Sequence, residues 1–198
     1  MTLVMAYIGV GGAVMAGDMR EVTFLGDRAA IGKLDEELNG GALVTDRDLV
    51  RRAGEIGVEL RIRDDKVKVS ARGGVLVGEV TSLEGGLLRR RRVYASVGAY
   101  ILLDLGGSAP TLRGKGSAGS FVVLGNEATK AVARRCIGEG WRNGSLDDAR
   151  EIIIRSLEEA ARASASVSKR FVILETRERV DLEKVLEQEG MNGVMDGI

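Results

Sequence analysis

The sequence predicts an α+β fold built as a largely antiparallel sandwich, and three observations carry that prediction. Short apolar runs punctuated by glycine fill residues 3–25 and 58–124, whereas helical spacing is confined to residues 32–57 and the last third of the chain. Strands therefore come in blocks rather than alternating singly with helices, which favours antiparallel sheets over βαβ units. The opening run Leu3-Val4-Met5-Ala6-Tyr7-Ile8 is apolar at every position, as a strand covered on both faces is.

The elements follow in order. After the first strand, Gly9, Gly11 and Gly12 turn the chain, residues 13–16 return, and residues 21–25 make a third strand. Between residues 32 and 57 charged residues dominate at helical spacing. Leu34 and Leu38 lie four apart, and Leu49, Val50, Ala53 and Ile56 mark a second short helix capped by Thr45 or Asp46. Residues 58–63 and 67–69 alternate, and Asp64-Asp65 is expected to turn between them. Further strands are expected at 75–80, 93–97, 100–105 and 121–124, with glycine-rich turns between; the four arginines at 89–92 read as a solvated loop or strand edge. Beyond Gly125, Ala128, Val132, Ala133, Cys136 and Ile137 share a helical face. Ser145 caps a second helix with Asp147 and Asp148 in its first turn and an apolar face of Leu146, Ala149, Ile153, Leu157 and Ala160. A strand at 171–174 and a short helix with Leu182, Val185 and Leu186 complete the chain.

Composition narrows the chemistry. With 198 residues and 44% hydrophobic content, a single folded domain over 1–198 is expected. The absence of histidine excludes Ser-His-Asp and Cys-His triads and histidine metal sites. Cys136 is the lone cysteine, so neither an internal disulfide nor a cysteine zinc cluster can form, and its helical setting suits a small buried hydrophobe. Zero net charge argues against nucleic acid and anionic membranes as partners. No apolar run approaches the roughly 20 residues of a membrane span, and no signal peptide opens the chain, so the expectation is a soluble, cytoplasmic protein.

Thr2 follows the initiator Met1 and is small enough for an aminopeptidase to uncover. It would then carry a hydroxyl nucleophile and a free amine of ordinary pKa ~7.7–8.0, a base, on one residue. Rival motifs are weak. In Gly9-Val10-Gly11-Gly12-Ala13-Val14 the third glycine of a dinucleotide fingerprint falls on Val14, and a strand follows instead of a helix. Arg113-Gly114-Lys115-Gly116-Ser117 mimics a phosphate loop, but glycine follows the lysine where Ser or Thr is needed.

Thr2, the strand–turn–strand after it and Gly17-Asp18-Met19-Arg20 together resemble the start of a proteasome β-type subunit. Residues 114–121 are similar to the glycine-serine turn of that family, and residues 145–150 through 172–174 to its long helix and following strand. The resemblance implies a four-layer αββα sandwich of the N-terminal-nucleophile type with a reduced helical hairpin, residues 33–70 forming a variable insertion in place of the ring-stacking helices. A seven-membered ring is then not expected, but a monomer or small oligomer. The catalytic set implied is Thr2, Asp18, Lys33, Ser117 and Ser166, with Arg20 and Gly116 on the substrate side and no metal or organic cofactor. Two departures stand out. The sequence Arg162-Ala163-Ser164-Ala165-Ser166 lacks the acid of the family's turn, and Lys33 lies in a helical pattern where a solvated residue is an equal reading.

The opening and the shrunken hairpin are most similar to connectase, the proteasome-like protein ligase of methanogenic archaea. That resemblance implies cleavage of a Lys-Asp-Pro-Gly-Ala motif, storage of the fragment on the threonine, and transfer to another amine. The implied partner is the tetrahydromethanopterin S-methyltransferase complex, through its A-type polypeptide. Known members can carry a further C-terminal domain, for which 198 residues leave little room. In this scheme Asp18 and Lys33 tune the Thr2 amine, Ser117 hydrogen-bonds it, and backbone N–H groups at a glycine turn hold the oxyanion. A threonine hydrolase and a catalytically silent peptide-binding module remain the alternatives. Read without the resemblance, Asp18 is a turn residue, Arg20 a surface ion pair and Ser117 a loop hydroxyl.

Overall fold

A computed structural model describes residues 3–84, 87–106, 109–142 and 144–191. The chain is mixed α/β with antiparallel sheets. Its first sheet has the order β10-β1-β2-β11, from β1 (Leu3–Ile8), β2 (Ala13–Asp18), β10 (Ser120–Gly125) and β11 (Phe171–Thr176). Because side chains alternate across a strand, the uniformly apolar β1 feeds two cores. Val4, Ala6 and Ile8 pack toward the second sheet, while Leu3, Met5 and Tyr7 pack toward helices α3 (Glu127–Gly140) and α4 (Leu146–Ala163). In β2, Ala13 and Met15 join the first core, and Val14 and Ala16 join the second. Ser145 caps α4 in a capping box with Asp148, as its sequence position foretells.

The second sheet has the order β5-β6-β7-β8-β9: β5 (Val69–Arg72), β6 (Val75–Glu84), β7 (Leu87–Ser96), β8 (Ala99–Asp104) and β9 (Thr111–Ser117). The two sheets approach closely at Gly78, where a Cβ would stand 2.8 Å from both Met15 Sδ and Val4 Cγ1. On the far face Val75, Tyr94, Ile101 and Leu103 cover α5 (Leu182–Gln188) through Leu182 and Leu186. The four arginines are neither loop nor edge. They lie in β7, an interior strand, where Arg91 pairs with Asp104 on β8 and Arg92 with Glu79 on β6. Cross-strand charge pairing lets a strand carry such a run. Strand β9 occupies residues expected to turn; half-exposed and glycine-rich, it is paired to β8 across an irregularity at Leu102/Leu103.

Between the two sheets' strands the chain builds a separate unit. Strand β3 (Glu21–Leu25) pairs with β4 (Glu59–Arg63), and α1 (Arg28–Asn39) and α2 (Asp46–Glu55) pack on this pair around Leu34, Leu38, Leu49 and Ala53. Helix α1 starts before Gly32, because the Asp27 side chain caps Ala29 and Ala30 N–H. Thr45, not Asp46, caps α2. The expected hairpin of residues 58–63 with 67–69 does not form: β4 pairs with β3 and β5 with β6, so the chain crosses between sheets after Asp64-Asp65. Among the described residues no helix is long and apolar enough to cross a membrane.

Candidate active site

Asp18 ends β2 and is fully buried. Since β2 runs antiparallel to β1 with Gly17 opposite Val4, its carboxylate meets the start of β1. Oδ2 accepts Leu3 N–H at 2.8 Å and Lys68 Nζ at 2.9 Å; Oδ1 accepts Arg20 N–H at 2.8 Å and Ser168 N–H at 3.4 Å. This is no exposed turn residue. Thr2 itself lies outside the described residues, but covalent geometry sets its Cα about 3.8 Å from that of Leu3.

The lysine beside Asp18 is Lys68, not Lys33. Its side chain is 4% exposed against a fully buried Asp18. Burial pushes its ammonium below the ordinary value, and the Asp18 charge pulls the other way. Lys33 instead projects from α1, exposed, with its charge felt by Glu37 one helical turn on. Sequence counting misses Lys68 because the β3–β4 unit separates it from Asp18 by 50 residues. Its one local signal is a lysine flanked by Val67 and Val69.

Ser166 is buried on the other side of β1's start. Its Oγ lies 2.8 Å from Ser164 Oγ and accepts Asn126 Nδ2–H at 3.2 Å. Gly125 pairs with Leu3, so Asn126, the N-cap of α3, comes just past that pair. Ser168, also buried, accepts Met19 N–H at 3.0 Å and donates to Arg170 C=O at 2.5 Å. Neither Asn126 nor Ser168 carries a sequence signal; tertiary pairing alone brings them here.

Arg20 is 7% exposed and fully engaged. Nε and Nη2 clamp Asp64 at 2.8 and 2.9 Å, both Nη atoms reach Asp46, and Nη1 donates to Ala165 C=O at 2.9 Å. A guanidinium has five N–H donors, and these contacts use all of them. The two carboxylates hold it charged against the cost of burial, its pKa raised with Asp64 the largest cause. Arg20 therefore ties the inserted unit to the 164–168 segment with all its donors engaged.

Ser117 and Gly116 are at the opposite end of β1 from Leu3. Ile8 pairs with Ser120, and Gly119 N–H donates to Ile8 C=O at 2.7 Å. The six residues of β1 put this turn about 17 Å from Leu3 at ~3.4 Å per residue. Ser117 is exposed, and Gly116 packs closely on the Tyr100 ring, where a Cβ would stand 2.5 Å from it.

Beside Lys68 opens a cleft of about 1470 Å³, walled by β3, α1, residues 66–72 and the β6–β7 face. Among the described residues β3 pairs only with β4 and β5 only with β6, so each has an unpaired edge, and residues of both strands line the cleft. Asp35, buried on α1, lines the same cleft and accepts Asn39 Nδ2–H at 2.8 Å. Burial pushes its carboxyl above the usual range, opposed by the hydrogen bond from Asn39. Among the described residues no cluster of His, Cys, Asp and Glu suits a metal ion.

Among solved structures the chain is similar to Anbu (ancestral beta-subunit) from Yersinia bercovieri, at 12% identity over 89% of this chain and 82% of that one, with a TM-score of 0.43. An Anbu (Gly-1) mutant from Hyphomicrobium sp. strain MC1 shares 14% identity over 96% and 98% (TM-score 0.40). The helical assembly of the Anbu complex from Pseudomonas aeruginosa shares 13% over 98% and 95% (TM-score 0.41). No curated protein matches. Residues 1–191 match the family described as Connectase MJ0548-like, N-terminal domain, and the chain therefore belongs to the connectase family.

Proposed function

We propose that this chain is a sequence-specific transpeptidase that works through Thr2 once Met1 is removed, on a four-layer αββα frame of the N-terminal-nucleophile type. The observation that supports it best is the buried Asp18–Lys68 pair bonded to Leu3 N–H, one residue from the threonine. An ion pair with one member also holding the main chain fixes where the nucleophile's own backbone enters.

The chemistry runs in balanced steps. The Thr2 hydroxyl attacks a peptide carbonyl while its proton passes to the Thr2 amine, directly or through one water. Collapse expels the downstream fragment, whose amine takes that proton, and leaves an ester on Thr2. The neighbouring amine can attack the ester carbonyl and return the hydroxyl, storing the fragment as an amide that resists water. Reversal, then attack by another fragment's amine, completes transfer. Lys68, a cation held in place, opposes protonation of the amine, and Ser166 with Asn126 offers hydrogen bonds on the opposite side. Ala163, where the family pattern carries an acid, suits a site that activates water poorly.

An extended peptide fits the cleft, because strand edges on both walls offer main-chain partners. We carry over from the family the Lys-Asp-Pro-Gly-Ala-like motif, the tetrahydromethanopterin S-methyltransferase partner, a soluble cytoplasmic setting and a state no larger than a small oligomer. The test is intact-mass measurement on a chain beginning at Thr2, with a peptide bearing that motif. The expected result is a mass gain equal to the upstream fragment, reversed by added downstream fragment. Peptide cleaved without exchange makes it a threonine hydrolase. Binding with no covalent mass, unchanged in Thr2→Ala, makes it a silent binding module.

A further inference from the structure

Strand register fixes what the β6–β7 wall presents to the cleft. Glu79 lies opposite Arg92 and Thr81 opposite Arg90, and all four residues line the cleft. Side chains two apart on a strand, and those directly across from them, share one face. The neighbouring cations hold carboxylates: Lys68 holds Asp18, Arg92 holds Glu79 at 2.6 Å and Arg91 holds Asp104 at 2.9 Å. Arg90 is exposed and has no carboxylate partner among the described residues. It stands in a row of four arginines, and the cleft around it includes Leu88 and Val67, 67% and 59% exposed. A free cation and exposed apolar side chains sharing one cleft mark a surface that faces a ligand. Its place relative to the start of β1 follows from the backbone. Lys68 C=O accepts Glu79 N–H at 2.9 Å, and Thr81 with Arg90 lies two residues farther along β6, about 7 Å. The α1 side of the same cleft carries Asp35 and Glu36, so a negative group entering it is repelled from α1 and drawn to β7. Arg72 is also exposed and without a carboxylate partner among the described residues, but it lies opposite Val75, about 20 Å along β6 from Thr81.

We infer that Arg90, with the Thr81 hydroxyl across from it, is the subsite that holds an acidic side chain of the bound peptide. This inference rests on the peptide-cleft reading above and deepens it: the cleft selects a peptide by a carboxylate a few residues from the bond that reacts. A guanidinium takes a carboxylate through two parallel N–H···O bonds, and a hydroxyl adds a third donor. A carboxamide offers one oxygen and no charge, so the same site rejects it. In the Lys-Asp-Pro-Gly-Ala-like motif the side chain assigned to Arg90 is the aspartate.

The test reads binding, not transfer. A fluorescently labelled Lys-Asp-Pro-Gly-Ala peptide, amidated at its C-terminus, and its counterpart with Asn for Asp are each titrated against the full chain carrying Thr2→Ala. The Asp peptide is expected to bind about tenfold tighter, the usual worth of a charge-assisted pair. Adding Arg90→Gln should weaken the Asp peptide by about that factor and leave the Asn peptide nearly unchanged, so the preference disappears. Adding Arg72→Gln, a cation of the same cleft at a different level of β6, should keep the tenfold preference. Equal binding of the two peptides, or a preference that survives Arg90→Gln, overturns the inference; a preference lost only in Arg72→Gln overturns it too, by moving the carboxylate to the other end of the cleft. Binding is measured without any acyl transfer, so a failure of the transpeptidase reading, seen as no adduct mass on the chain beginning at Thr2, stays separate from this outcome.

Discussion

The two ends of β1 are built from different materials. At its start, Leu3 N–H, Asp18, Lys68, Ser168 and the Arg20 clamp form a buried, nearly saturated polar network. At its far end, Tyr7 packs on Phe121 and Trp141 with ring centroids 4.8 Å away in both cases, and the 117–120 turn is open to solvent. A saturated polar network in a core is costly to build and stabilises less than apolar packing of the same volume. The placement of one at the entry of the first strand, and of plain aromatic packing at the exit, supports the proposal that the chemistry lies at the entry.

The largest expected effect tests that contrast directly. Lys68→Met removes the cation and leaves Asp18 buried with its charge uncompensated, which costs about 3–5 kcal/mol in comparable buried pairs. Urea unfolding should register that loss, and acyl-enzyme formation should fall below detection. The variant also carries a pH signature. Burial holds the folded Lys68 below its ordinary 10.5, so just beneath that value the unfolded chain binds more protons than the folded one. Stability from this group therefore rises with pH through that alkaline window. Unfolding curves between pH 8.5 and 10.5 should rise more steeply for wild type than for Lys68→Met; equal slopes would mean that the lysine is not buried as described.

Next in size is Arg20. Arg20→Ala strips a buried guanidinium from two carboxylates that can partly rehydrate, Asp46 and Asp64 being 55% and 36% exposed, so about 2–3 kcal/mol is expected. Arg20→Lys keeps the charge but loses the planar fork that spans both acids and the Ala165 carbonyl, and should recover less than half of that stability. If Arg20 bound substrate instead, both variants would raise KM with the unfolding midpoint unchanged. Stability and KM measured together decide between the two roles.

Gly116→Ala comes third. The added methyl meets the far end of the Tyr100 ring, which can swing outward, so about 1 kcal/mol of stability is at stake. A substrate-binding glycine would show its loss in KM; here thermal unfolding should move and KM should not.

What was legible in the sequence follows the same division. The bounds of β1 match its apolar run, those of β3 match the strand expected at 21–25, and the α4 face of Ala149, Ile153, Leu157 and Ala160 is the buried one, because local periodicity is set by burial. That Asp18 and Ser166 come to the start of β1 was also legible, one being the last residue of β1's partner strand and the other lying in the turn after α4. The lysine was not. Counting from Asp18 assumes constant spacing, and the inserted β3–β4 unit carries the chain through two helices before Lys68 returns to Asp18. The 114–121 run misled for a different reason: a glycine-serine pattern specifies a tight backbone, and β9 into β10 needs one at the aromatic end for packing alone. Motifs report local backbone demands; only strand register says which end of the molecule has them.

The smallest expected effects are the last check on the comparison. Lys33→Ala and Ser117→Ala both change exposed side chains, one on α1 and one at the β9–β10 turn, so each should shift stability by no more than about 0.5 kcal/mol. Neither should change the rate or pH midpoint of acyl-enzyme formation, since Lys33 sits among solvent-facing groups and Ser117 lies a full strand length from Leu3. These null results carry weight because the two variants remove the same chemical groups, an ammonium and a hydroxyl, that Lys68 and Ser166 present in the core. A rate loss in Lys33→Ala with Lys68→Met still active would move the working cation to α1. A rate loss confined to Ser117→Ala would shift the site to the aromatic end of β1, and the polar network at its start would then serve folding alone.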